Sequence, residues 1–213
     1  MLIKRFLFSL LYLISIYTAC AQDVSTFFID MPDEYLPQLE DAWRKDLVGL
    51  YQAGKPAVMD NTMEGRSTLQ KMTSDYMYLQ ISERSTLEIK LLPLINRTYV
   101  ACVITTVLAP VPDSRVEFFT MDWHPLEATE LWKPDDKYAF IKDDVDRDDQ
   151  NYQNILSFLD MELINYQLDP DQSILKATYT SPDFLSLTER ERLKPFLKES
   201  PLVYQWKSGR FEP

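Results

Sequence analysis

Residues 76–108 read YMYLQISERSTLEIKLLPLINRTYVACVITTVL, and this stretch decides the fold. Apolar and polar side chains alternate through Tyr76 to Ser82 and again through Thr86 to Leu92. Because successive side chains point to opposite faces of a strand, this period of two predicts two strands joined by Glu83-Arg84-Ser85. Thr98 to Leu108 is apolar at both odd and even positions. We expect this third segment to be a central strand covered on both faces.

The stretches on either side extend the sheet. Arg115 to Met121 predicts a strand after Leu108, and Ala57 to Met63 and Ser67 to Met72 flank Glu64-Gly65, which predicts a hairpin. Six strands at intervals of about ten residues indicate an antiparallel meander.

Apolar residues recur at spacings of three and four between positions 36 and 50. This period predicts an amphipathic helix that ends near Gly54 and packs its apolar stripe on another element. Pro37 suits the first turn of such a helix, where its missing N–H costs nothing. The stripe consists of Leu36, Leu39, Trp43, Leu47 and Leu50.

The second half of the chain predicts shorter elements after a proline- and acid-rich stretch, Trp132 to Asp149. Glu162 to Leu168 and Ile174 to Thr180 flank the turn sequence Asp169-Pro170-Asp171-Gln172, so we expect another hairpin. Pro195 should break the helix that follows Ser186 and Glu189, which have the spacing of a capping box. Ile155, Phe158 and Leu159 predict a further short helix, and Val203 to Lys207 a last strand.

Together these elements predict an α+β fold. It is mainly an antiparallel meander sheet, with an N-terminal amphipathic helix and short C-terminal helices packed on it. The chain shows no Gly/Ser linker and no repeat, so residues 22–213 are expected to form a single α+β domain.

The N-terminus has the pattern of an export signal. Lys4 and Arg5 precede the apolar run Phe6 to Ile16, which is too short to span a bilayer. Ala19-Cys20-Ala21 fits a cleavage site that would make residues 1–21 a signal peptide, while Cys20 could instead be the lipidated residue of a bacterial lipoprotein. We expect a protein without a transmembrane segment that is periplasmic, associated with the outer membrane or secreted.

The composition excludes several functions. The chain has 213 residues, 33 acidic against 22 basic, for a net charge of −11. Cleavage after residue 21 would remove two positive charges and leave −13. Such a chain repels phosphate backbones, so no nucleic-acid partner is expected. Only Cys102 would then be left, and no intramolecular disulfide could form.

No catalytic or cofactor-binding residues emerge from the motifs. His124 is the only histidine, the nucleophile motif G-x-S-x-G is absent, and Cys102 lies within an apolar strand. The four glycines form no cluster of the kind that binds phosphates, so no cofactor is expected.

A calcium site is the best metal hypothesis. Asp144, Asp146 and Asp148 match the first three ligand positions of a calcium loop. Asp149 stands where such a loop needs glycine, and Ile155 stands where a glutamate should close the site. The alternative is a solvated acidic loop ahead of a helix N-terminus.

These observations leave three classes of function. The first is a non-enzymatic, exported binding module for an envelope protein or a saccharide, with Trp123 and Trp132 as its partner-binding surface. The second is a periplasmic carrier that holds an apolar ligand in a curved sheet. The third is a hydrolase with paired carboxylates in a cleft.

Several segments of the chain resemble a known family. They are residues 76–82, 85–94, Asp113-Ser114-Arg115, Met121-Asp122-Trp123 and 206–211. In combination they are similar to the uncharacterised exported proteins of Bacteroidales that are grouped as a domain of unknown function. The resemblance implies a location in the Gram-negative envelope or outside the cell. It implies no activity, substrate or catalytic residue.

Overall fold

A seven-stranded antiparallel sheet forms the centre of the protein. The computed structural model describes residues 23–134, 136–156 and 161–213. Within them, each strand of this sheet pairs with its neighbours in the sequence, so the predicted meander is confirmed. The strands are β1 (Val58–Asp60), β2 (Arg66–Met72), β3 (Tyr76–Ser82), β4 (Ser85–Pro93), β5 (Tyr99–Val107), β6 (Asp113–Phe119) and β7 (Pro125–Leu126).

The middle of this sheet is buried on both faces. β4 and β5 pair at nine positions, from Ser85 opposite Val107 to Pro93 opposite Tyr99. Every residue of β4 from position 86 to position 92 is buried, as is every residue of β5 from position 100 to position 104. The expected double-sided burial is confirmed for β5, and it extends to β4, where the alternation of side chains had not predicted it. Such burial requires a layer of structure on each side of the sheet.

Two helices cover one face. α1 (Val24–Ile29) and α2 (Asp41–Gln52) pack on the side chains at odd positions of β3, β4 and β5. The sequence did not predict α1, because six residues are too few to show a helical period. The core beneath the helices includes Phe28, Leu47, Met77, Leu79, Leu87, Ile89, Ala101 and Phe119.

The predicted start of the second helix was wrong. α2 begins at Asp41, and Pro37 lies in a turn that precedes it. Leu36 and Leu39 are buried as expected, but they occupy turns and not the helix. Turn residues can point inward at the same spacing as a helical stripe, so the apolar period begins before the first residue of the helix.

A second sheet covers the opposite face. Its order is β11, β10, β9, β8, and all neighbours are antiparallel. The predicted hairpin is confirmed as β8 and β9. Tyr166, Leu168 and Leu175 of this sheet pack with Cys102 and Phe118 of the large sheet. The strands are β8 (Ile164–Leu168), β9 (Ile174–Tyr179), β10 (Leu202–Lys207) and β11 (Arg210–Glu212).

Short helices fill the connections: α3 (Ala128–Leu131), α4 (Gln150–Leu156) and α5 (Leu187–Leu193). The Ser186 hydroxyl and the Glu189 carboxylate form the predicted capping box of α5, and a 3₁₀ turn at Lys194–Phe196 follows at the proline. Phe158, Leu159 and the predicted signal peptide lie outside the described residues. In the described part of the chain, no helix has the length and apolar character that crossing a membrane requires.

A buried arginine fixes the connection between α1 and α2. The Arg44 side chain is almost inaccessible to solvent. Its guanidinium donates hydrogen bonds to the carbonyl oxygens of Ile29, Met31 and Leu39 and forms an ion pair of 2.9 Å with Asp33. These carbonyls lie at the last residue of α1 and in the segment that follows it, where they have no helical or strand partner, so Arg44 satisfies polar groups that would otherwise be buried unpaired.

Replacing this side chain should destabilise the fold. We expect Arg44→Met to lower the free energy of unfolding by about 3 kcal/mol or more, because several buried carbonyls lose their donor. Arg192→Met, at an exposed position of α5, is the matched control. Urea denaturation measures both, and a change below about 1 kcal/mol for Arg44→Met would contradict this assignment.

Candidate functional site

The helical layer leaves part of the large sheet open, and a groove of about 380 Å³ lies there. Leu87 from β4 and Val103 and Thr105 from β5 form its floor. Arg115 and Glu117 of β6 form one wall, because they pair with Thr105 and Val103 and therefore point to the same face. The groove is thus built by the strand alternation of three neighbouring strands.

The opposite wall comes from the connection between α1 and α2. Met31, Glu34 and Tyr35 line the groove on this side, and Trp123 lines it from the turn between β6 and β7. Since Arg44 fixes this connection, the groove depends on the same buried guanidinium.

Trp123 is enclosed by other aromatic rings. Phe27 stacks on its indole at 4.0 Å, Tyr35 lies nearly parallel to it at 5.5 Å, and Phe119 packs at 5.0 Å. The indole N–H donates to the carbonyl oxygen of Phe27 at 2.9 Å. Trp123 is only 6% exposed, so the expected exposure of its ring is not observed, although the residue contributes to the lining of the groove. The tight turn from Thr120 folds its ring back onto the helices.

Trp132 is also buried, at 5% exposure, between the large sheet and the small sheet. Its ring meets Tyr166 edge to face at 4.8 Å and lies 6.4 Å from Tyr204. The neighbouring prolines and acids suggested an exposed position, but the small sheet covers this ring. The expected exposure of Trp132 is therefore not observed either.

The groove carries more negative than positive charge. Glu34, Asp113 and Glu117 contribute carboxylates, and Arg115 contributes a guanidinium. Arg115 and Glu117 form an ion pair of 2.6 Å, with side-chain exposures of 71% and 29%. The guanidinium offsets one of the three carboxylates, so the rim keeps an excess of negative charge. The surface joins an apolar floor to an acidic rim.

The carboxylates of the predicted calcium loop do not converge on a position where a metal ion could bind. Asp144, Asp146 and Asp148 are exposed, and the Asp146 carboxylate accepts the backbone N–H of Asp148 at 3.0 Å. Among the residues that the structure describes, no group of three or more His, Cys, Asp or Glu side chains could hold a metal ion. The solvated alternative fits this local turn better than the calcium loop does.

His124 and Cys102 lie in different parts of the structure. His124 is exposed in the turn between β6 and β7, where its carbonyl oxygen accepts the N–H of Thr120. Cys102 is fully buried on β5, and burial together with the nearby Glu88 carboxylate raises the pKa of its thiol. A thiol in this environment is not a nucleophile.

A buried carboxylate, Glu88, lies between the two sheets on the face opposite the groove. One of its oxygens accepts hydrogen bonds from the Tyr76 hydroxyl at 3.1 Å and from the Leu168 N–H at 3.0 Å. Burial raises the pKa of Tyr76 strongly, and the Glu88 carboxylate adds to the effect, so the hydroxyl keeps its proton and remains a donor.

Lys90 lies two residues further along the same face of β4. Its side chain is 2% exposed and forms an ion pair of 2.9 Å with Asp75. The ammonium also donates to the carbonyl oxygen of Pro170 at 3.0 Å. Lys90 therefore ties the turn between β8 and β9 to the large sheet.

Comparison with known proteins places the chain in a family. The family described as "Protein of unknown function (DUF3256)" matches residues 16–211. The chain belongs to this family. A similar solved structure is titled "Structure of a domain of an uncharacterized protein from Porphyromonas gingivalis W83". It is 30% identical, with a TM-score of 0.80, and the alignment covers 89% of this chain and 98% of that chain. No match was found among curated proteins.

The sequence of this DUF3256 domain contains a pattern that predicts the burial of Glu88 and Lys90. The alternation within β4 alone does not reveal it. Both occupy even positions of β4, which suggested a solvated face. The neighbouring strand β5 is apolar at Val100, Cys102 and Ile104, and these residues share that face. A face that is apolar on one strand must be covered, so charged residues beside it must be buried too.

Burial raises the pKa of Glu88 from its ordinary 4.5 to about 7, although the hydrogen bonds from Leu168 and Tyr76 oppose this shift. The folded domain therefore holds a proton that the unfolded chain releases between these two pH values. The contribution of this proton to the free energy of unfolding is fully present below pH 4.5 and is lost as the pH rises through 7.

We expect the free energy of unfolding to fall by about 2 to 4 kcal/mol between pH 4.5 and pH 8 because of this group. In Glu88→Gln this part of the pH dependence should disappear, while the exposed-site control Glu191→Gln should retain it. Urea denaturation at several pH values measures the difference. An unchanged pH profile in Glu88→Gln would show that Glu88 is not the titrating group.

Proposed function

We propose that this DUF3256 domain is an exported, non-enzymatic binding module, and that its groove binds a basic, partly apolar peptide segment of a partner protein. The observation that carries this proposal is the acidic rim above an apolar floor. Val107, which is 52% exposed, and the half-buried Tyr35 would contact the aliphatic part of a lysine or arginine side chain. Glu34, Asp113 and Glu117 would contact its charged end.

The charge of the whole chain supports a basic partner. The net charge is −11, so the field around the protein attracts cationic segments and repels anionic ones. The size of the groove supports a peptide segment, because about 380 Å³ admits side chains and not a folded domain.

A saccharide fits this groove less well. Sugar recognition on aromatic residues needs an open ring face. The Trp123 indole is surrounded by Phe27, Tyr35 and Phe119, which leaves it little surface for stacking.

The two other classes of function find less support. A carrier needs apolar volume inside the sheet, yet side chains pack on both faces of the described strands. A hydrolase needs a carboxyl group of raised pKa presented to its substrate. Glu88 has such a pKa, but it lies between the sheets and its hydrogen bonds go to Tyr76 and Leu168.

Binding can be tested with a labelled peptide in which two lysines flank two leucines, and with a second peptide that carries glutamates in place of the lysines. We expect fluorescence anisotropy to show saturable, salt-sensitive binding of the lysine peptide only. Glu34→Gln and Glu117→Gln should each weaken this binding by about threefold to tenfold.

A variant that removes the positive charge of Arg115 gives a sharper test. Arg115→Gln should strengthen binding of the lysine peptide, because it removes the cation that competes for the acidic rim. Glu191→Gln and Arg192→Gln, both on α5, are the matched controls and should change nothing. No saturable binding, or weaker binding in Arg115→Gln, would overturn the proposal.

Export is the second part of the proposal and rests on the basic start and the apolar run in residues 1–21. When the full chain is made in a Gram-negative host, we expect mass spectrometry to find a mature form that begins at Gln22 in the envelope or the medium. Mature protein with a lipid on Cys20, lost in Cys20→Ala, would instead establish the lipoprotein alternative. A chain retained in the cytoplasm with residues 1–21 intact would contradict export.

A further inference from the structure

The edge of β8 attaches to the large sheet through side chains. β8 pairs with β9 on one side, and three alternate N–H groups on its other side donate to side-chain oxygens. Backbone pairing between strands is thus replaced here by side-chain acceptors. The pairs are Ile164 to Asp113 at 3.2 Å, Tyr166 to the Ser114 hydroxyl at 3.0 Å, and Leu168 to Glu88 at 3.0 Å.

These acceptors differ in charge and in burial. Ser114 does not titrate, and Asp113 is exposed at the start of β6. Glu88 is buried and shares one oxygen between the Leu168 amide and the Tyr76 hydroxyl. A change in the charge of Glu88 therefore acts on the carboxyl end of β8 and not on its beginning.

We propose that Glu88 is a pH-sensitive latch. It holds the C-terminal end of β8, at Leu168, on the large sheet in mildly acidic solution, and it loosens as the pH rises past neutral. The physical reason is desolvation. With the end of β8 in place, Glu88 is out of contact with water, and its ionised form is disfavoured there. Detachment of that end lets water reach the carboxylate, so ionisation favours the detached state.

The charged groups around Glu88 do not cancel this effect. Lys90, the nearest cation on β4, is already paired with Asp75 and with the Pro170 carbonyl. Asp169 is paired with Lys176. Three neutral groups complete the surroundings, and burial raises the pKa of each of them: the hydroxyls of Tyr76 and Tyr78 on β3 and the thiol of Cys102 on β5.

Lys90 also limits the size of the motion. Its contact with the carbonyl oxygen of Pro170 holds the turn that follows β8. The latch therefore frees the segment around Leu168 without releasing the whole small sheet.

Amide hydrogen exchange in the purified protein, followed by NMR, tests the proposal. The protection factor of the Leu168 amide, corrected for intrinsic exchange, should fall by about tenfold or more between pH 5.5 and pH 8. The Tyr166 amide, bonded to Ser114, should change much less. Leu168 should also exchange faster than a central amide such as Val103, and low concentrations of urea should not affect its rate.

Two variants complete the test. Glu88→Gln should abolish the pH dependence at Leu168. Tyr76→Phe removes a donor that stabilises the ionised carboxylate, so it should move the midpoint of the transition to higher pH.

Three results would overturn the latch. The first is a Leu168 protection factor that does not vary with pH in the wild-type protein. The second is equal protection of Leu168 and Val103 at every pH, which would mean that only global unfolding exposes this amide. The third is a wild-type pH profile in Glu88→Gln.

Discussion

Burial of β4 and β5 on both faces is the constraint on which the rest of the structure depends. A strand with two buried faces needs a layer on each side, and here helices supply one layer and a small sheet supplies the other. Any charged residue on these strands must then find its partners inside the protein. Glu88 and Lys90 meet this condition through Tyr76, Leu168, Asp75 and the carbonyl oxygen of Pro170.

The same requirement explains how the layers are joined. Strand edges and turns bring backbone polar groups into the interior, and these groups need partners there. Arg44 supplies donors for three carbonyls of the helical layer, while Asp113, Ser114 and Glu88 supply acceptors for the edge of β8. Polar side chains thus fix the position of both outer layers, and apolar packing fills the space between them.

The groove follows from the unequal size of the layers. A helix of twelve residues such as α2 is about 18 Å long, whereas a strand of nine residues such as β5 extends about 30 Å. The helices cannot cover the whole sheet, so side chains at the far ends of β5 and β6 remain open to solvent. Acidic residues gather at this opening, and they give the uncovered face its chemical character.

The sequence by itself determined six of the seven strands of the meander, the hairpin of β8 and β9, and the break at Pro195, because these features depend on local period and turn chemistry. It also pointed to a family that carries no known activity. Only the tertiary structure decided that Trp123 and Trp132 are buried, that Glu88 contacts β8, and that Glu34 and Glu117 line one groove. These contacts join residues far apart in the chain, and a local pattern specifies which side of a strand is covered without specifying what covers it.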